Sequence, residues 1–115
     1  MDILLRTQEV SLPDNGSGVL ARRLDQMLAR AAARIKRLHV TLKDINGPRG
    51  GRDKVCTLRA ELSDGGQIIV SDRSADLGRA IARSARRLKA SFGREIARRR
   101  VRRRQRPAPE YAVVE

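Results

Sequence analysis

Arginines at positions 79, 83, 86, 87, 94 and 98, with Lys89 among them, recur mostly at intervals of three, four and seven residues. On a helix that spacing gathers side chains onto two adjoining faces. The chemistry open to such a row is charge-assisted hydrogen bonding to phosphate or carboxylate oxygens; a guanidinium neither gives nor takes a proton near neutral pH. The plain alternative is a solvated helix face. The charge of the whole chain favours a partner: 26 Lys+Arg oppose 13 Asp+Glu, a formal +13 on 115 residues. Such a field repels itself in isolation and attracts polyanions over a Debye length of ~8 Å. Nucleic acid is the natural partner, an anionic membrane surface the other class.

Groups that make or break bonds are scarce. His39 is the only histidine and Cys56 the only cysteine, so the two cannot assemble a zinc site. His39 has no nucleophile or acid patterned beside it and reads as a strand-surface residue, while Cys56 lies on the apolar side of its strand and reads as a buried structural thiol. Asp44, Asp53, Asp64, Asp72 and Asp76 fall mostly in turns or at a helix start, where Asp76 suits a helix N-terminus. No catalytic constellation, cofactor or small-molecule substrate follows, and the chain reads as a non-enzyme. No apolar run approaches the roughly 18 residues that a membrane span needs, and no bulky apolar anchors oppose the basic face. Phe92 and Tyr111 are too few for base-stacking platforms, so backbone and shape recognition fits better. One cysteine and no signal segment imply a cytoplasmic protein.

The elements that must position these arginines can be traced in order. "DILLRTQEV" alternates as a strand, and "SLPDNGSG" is a loop in which Asn15 or Ser17 suits a helix cap. Leu20, Leu24, Met27, Leu28, Ala31, Ile35 and Leu38 then recur at helical spacing, which predicts a helix from Val19 to about Arg37 with Arg22, Arg23, Arg30 and Arg37 on its back. "LHVTLKDI" and "KVCTLRAEL" alternate with period two. "NGPRGGRD" between them is a glycine-rich turn whose Arg49 and Arg52 are further contact candidates; it lacks the arrangement of a nucleotide-hydrolysing loop. Ser63-Asp64-Gly65-Gly66 signals a hairpin into "QIIVS", and Leu77, Ile81, Ala85, Leu88, Phe92 and Ile96 mark a second long helix. The order β-α-β-β-β-α implies an α+β two-layer sandwich, two helices packed on one face of a four-stranded sheet.

"RIKRLHVTLK" and "DLGRAIARSARRLKASFGRE" together resemble the bacterial ribosome hibernation promoting factor family, which includes the ribosome-associated inhibitor also called protein Y or ribosomal subunit interface protein. Leu38 to Leu42 follow a helix end as in that family, Asp76, Leu77, Ala80 and Ile81 match the start of its last helix, and Arg87, Leu88, Phe92 and Arg94 match its basic and apolar pattern. The Gly65-Gly66 turn falls where the family turns between its third and fourth strands, and the resemblance covers residues 1 to 96. Gly78 stands where the family carries an aromatic residue, Ala82 where it carries an acid or amide, and Ala90 where a basic residue is common. The resemblance implies a ribosome hibernation factor that binds rRNA in the mRNA and tRNA channel of the small ribosomal subunit and inhibits translation under stress. It also implies no dimerisation through the second domain that long members carry. The residues alone leave a general double-stranded RNA or DNA binder open.

After Arg98 the apolar stripe stops. "REIARRRVRRRQR" holds eight arginines and one glutamate in thirteen positions, and "PAPEYAVVE" follows. The reading is a domain over 1–98 and, over 99–115, a fraying helix end with a flexible basic then proline-containing tail that adds charge without selectivity.

Overall fold

Alternating apolar side chains build the strands, and two apolar stripes build the helices. The computed structural model describes residues 1–45 and 54–105, with residues 99–105 described by backbone alone. The elements are β1 (Asp2–Gln8), α1 (Gly16–Met27), a 3-10 turn (Ala32–Arg34), β2 (Ile35–Asp44), β3 (Lys54–Leu62), β4 (Gln67–Ser74) and α2 (Leu77–Gln105). The strands form one sheet in the order β1-β2-β3-β4; β1 runs parallel to β2, and the other pairs are antiparallel. This is the α+β sandwich, β-α-β-β-β-α, that the sequence implies.

The core lies between the helices and one sheet face. Leu38, Val40 and Leu42 of β2 and Cys56, Leu58 and Ala60 of β3 meet Leu20 and Leu24 of α1, Leu28 just beyond it, and Ala80, Ile81, Ala85, Leu88 and Phe92 of α2. Ile3, Leu5, Ile68 and Val70 on the outer strands pack against this cluster and are half-buried. Leu24, Leu38, Leu42 and Leu58 are wholly excluded from solvent, each burial contributing about 1.5–3 kcal/mol. Two glycines are required by geometry. Gly65 holds φ +98 in the β3–β4 hairpin, a left-handed conformation that side chains disfavour. A Cβ on Gly16 would lie 2.9 Å from Leu12 Cβ, so glycine allows the loop to fold against the start of α1.

The first helix is shorter than its periodicity predicts. It ends at Met27, and the turn that follows is held by the Ala31 N–H to Leu28 O and Arg34 N–H to Ala31 O bonds. The last part of the helical spacing belongs to β2. Its register against β3 shifts between Ile35 and Arg37, so a bulge lets Ile35 and Leu38 both point into the core although they are three residues apart. A bulged strand thereby copies the spacing of a helical stripe. The helical backbone of α2, in contrast, continues past Arg98 to Gln105. At about 1.5 Å per residue its 29 residues span roughly 43 Å, longer than any strand, so its C-terminal part projects beyond the sheet.

Candidate nucleic-acid interface

The rotation of α2 follows from its local start and its buried side. The Asp76 N–H donates to Ser74 Oγ at 3.2 Å, and Asp76 Oδ1 accepts from the Gly78 N–H at 3.0 Å, capping the first turn as its position suggests. At the start of α1, Asn15 occupies the cap position without a side-chain cap bond. With Ala80, Ile81, Ser84, Ala85, Leu88 and Phe92 buried, Arg79, Arg83, Arg86, Arg87, Lys89, Arg94 and Arg98 are left exposed. Burying the apolar stripe is thus what turns the arginines outward.

Arg79, Arg83 and Arg86 join Arg23 of α1 along one groove of about 380 Å³, floored in part by Gly78 and Ala82. The two helices therefore contribute to a common basic surface. Asp76, the acid lining the groove, has one carboxylate oxygen engaged by the Gly78 N–H. Four guanidinium groups around one cleft present many fixed donors, the arrangement that takes phosphate oxygens bidentately. Arg22, the neighbour of Arg23, lines a different cleft with Asp2 and Asp25.

The other sequence candidates divide. Arg87 Nε lies 3.3 Å from Asp72 Oδ2 and its Nη1 donates to Ser71 O at 3.3 Å, which ties it to β4 while leaving its side chain 63% exposed. Arg94 Nη2 donates to Ser91 Oγ, and Arg98 pairs with Glu95 at 3.8 Å. Arg30 and Arg37 are not on the first helix as the periodicity predicts: Arg30 follows α1 in the turn, and Arg37 lies on β2 beside the bulge. Arg49 and Arg52 lie outside the described residues.

On the sheet face away from the helices, Glu61 gathers basic side chains. Arg59 Nη1 donates to its Oε1 at 3.3 Å, His39 Nε2 lies 3.4 Å from the same oxygen, and Arg37 Nη1 is 3.9 Å from Oε2. Partial burial acts to raise the pKa of this carboxyl, but His39, Arg37 and Arg59 outweigh it and hold the carboxyl below its ordinary value. His39 Nε2 has no well-directed hydrogen-bond partner among the described residues and stands 3.4 Å from Glu61 Oε1. At the far end of β2 and β3, Lys54 pairs with Asp44.

Cys56 is buried in β3. Burial pushes its thiol up to about 11, with Asp72 acting in the same direction and a hydrogen bond with Ser84 opposing both. It is a poor nucleophile, since the thiolate is the reactive form. Among the described residues no cluster of histidine, cysteine and acids is suited to a metal ion, and no helix is long and apolar enough to cross a membrane.

Reasoning from helical stripes passed over Arg6, Lys43 and Arg73, which are exposed on the open sheet face. The signal was available in the period-two alternation, which puts each on the side opposite its strand's core residues.

No protein-family model matches the sequence, and the comparison with curated proteins gives no match. Solved structures share the fold. A ribosomal subunit interface protein from Coxiella burnetii superposes with a TM-score of 0.67 at 17% identity, over 84% of this chain and 99% of that one. The protein Y N-terminal domain from Thermus thermophilus superposes with a TM-score of 0.63 at 20% identity, over 82% of this chain and 98% of that one. These are structures of the kind to which the sequence motifs point.

Proposed function

We propose that this protein is a ribosome-associated factor that binds the small subunit, gripping rRNA of the mRNA and tRNA channel through its helical basic surface and so holding translation off. The observation that carries the reading is the convergence of Arg23, Arg79, Arg83 and Arg86 on one groove, in a fold shared with a ribosomal subunit interface protein and protein Y. Arg87, Lys89, Arg94 and Arg98 extend that surface along α2, and the arginine-rich sequence to residue 106 adds charge that is indifferent to base identity. The mechanism needs no bond chemistry: a folded domain seated in the channel excludes mRNA and tRNA sterically, and phosphate contacts hold it there. Ribosomes put its site of action in the cytoplasm.

Four groove arginines meeting four phosphates would release counterions with a salt slope of about −3 to −4 on a double-logarithmic plot. Gradient sedimentation of tagged protein with ribosomes, in magnesium low enough to part the subunits, tests the reading. Co-migration with small subunits and weak competition by bulk duplex RNA are the expected results. Equal competition by any duplex would favour the second reading, a general double-stranded RNA or DNA binder, and a protein that stays at the top of the gradient at low salt would end the ribosomal one.

A further inference from the structure

The open sheet face carries a second basic patch whose chemistry differs from that of the groove. Strand register arranges its outward side chains in rows. Arg6, Thr41, Thr57 and Ser71 stand side by side across β1 to β4, and the next row holds Lys43 on β2 and Arg73 on β4, with Val55 between them. Thr57 Oγ1 and Ser71 Oγ share a hydrogen bond of 3.1 Å. At about 4.8 Å per strand, the patch spans roughly 14 Å from β1 to β4. In the rows beyond, Arg37 and Arg59 are drawn to Glu61. Arg6, Lys43 and Arg73 have no ion pair among the described residues, so their charge is directed to solvent.

We infer that this face is a second binding surface for RNA backbone, and that the protein bridges two RNA segments, one held in the groove and one across the sheet. The inference rests on the reading that the partner is RNA. Three unneutralised cations flank a row of hydroxyls, and hydroxyls donate to phosphate oxygens as well as accept. A membrane surface would ask for bulky apolar anchors among the cations; the patch offers hydroxyls and the half-buried Val55, and the exposed Leu4, Ile45 and Ile69 lie on β1, just past β2 and on β4 rather than side by side. The groove lies on the helical layer and the patch on the far side of the sheet, so one straight duplex cannot touch both. Simultaneous use of the two surfaces requires two segments.

Two short RNA duplexes, one with a donor dye and one with an acceptor, test this with the full chain. Wild type is expected to bind two duplexes per chain and to give energy transfer that rises with protein and falls again in excess. R6A/K43A/R73A, which alters only exposed side chains, is expected to keep its circular dichroism, bind one duplex through the groove and lose the transfer. R79A/R83A/R86A is expected to lose the transfer likewise, with one duplex retained on the sheet. Overturning results are one duplex per chain for wild type, undiminished transfer in R6A/K43A/R73A, or a loss in that variant confined to vesicles of anionic phospholipid. Should wild type bridge duplexes but fail to sediment with small subunits, the ribosomal reading falls and the bridging stands. Sedimentation with subunits at one duplex per chain gives the reverse.

Discussion

Two clusters in this molecule set several cations around one carboxylate, and they come to opposite ends. On the sheet, Glu61 lies 3.3 Å from Arg59 and 3.9 Å from Arg37, with the His39 ring at 3.4 Å, so its one negative charge offsets part of the charge of the two arginines. In the groove, Asp76 faces Arg23, Arg79, Arg83 and Arg86, but its Oδ1 is committed to the Gly78 N–H. Asp76 caps the helix that carries the groove, and its single charge faces four guanidinium groups. What separates the two clusters is direct pairing: Arg37 and Arg59 make ion pairs with Glu61, whereas among the described residues no ion pair joins Asp76 to the four groove arginines.

Reversing the groove should break the comparison most severely. R79E/R83E/R86E is expected to lower affinity for RNA by ~100-fold or more at low salt, while the milder alanine triple flattens the salt slope by about 3; filter binding across a salt series reads both. Next comes Asp76→Ala, which removes the cap at a cost of about 1 kcal/mol in urea denaturation and, by taking away the groove's acid, strengthens RNA binding. A weakening of binding beyond the loss of folded protein would show that Asp76 aims the arginines rather than opposing them. The smallest effect belongs to Glu61→Gln. Because the folded-state carboxyl titrates below its ordinary value of 4.5, its contribution to stability is present above that value and fades as pH falls through the lower, folded one. The variant should flatten the acid limb of a melting-temperature profile. Its freed Arg37 and Arg59 should steepen the salt slope by at most about 2.

Much of this architecture could be read from the chain. The strict alternation of Cys56, Leu58, Ala60 and Leu62 against Val55, Thr57, Arg59 and Glu61 leaves one strand assignment and one buried face, and Asp64-Gly65-Gly66 leaves one place for the hairpin. The apolar stripe of α2 likewise foretells that Arg79, Arg83 and Arg86 face outward. The end of α1 was hidden because the bulge at Ile35 to Arg37 gives a strand the spacing of a helix, and pairing with β3 decides the matter. That error displaced Arg30 and Arg37. The meeting of Arg23 with the α2 arginines, and of Arg6 with Lys43 and Arg73, depends on layer packing and strand register, which join residues far apart in sequence.

The hydroxyl of Ser84 sits within α2, fully enclosed, between Ala80 O at 2.7 Å and Cys56 O at 3.0 Å on β3. An apolar stripe of alanines and leucines tolerates some rolling of a cylinder on a flat layer, and slippage by one position swings every side chain through about 100°. A polar contact between rod and plank resists that roll, because a turned helix would lose the approach of the hydroxyl to Cys56 O and keep only the bond to Ala80 O within the helix itself. The azimuth of a solvent-facing arginine row is thus indexed from the opposite side of the helix, by a residue that never meets what the arginines hold.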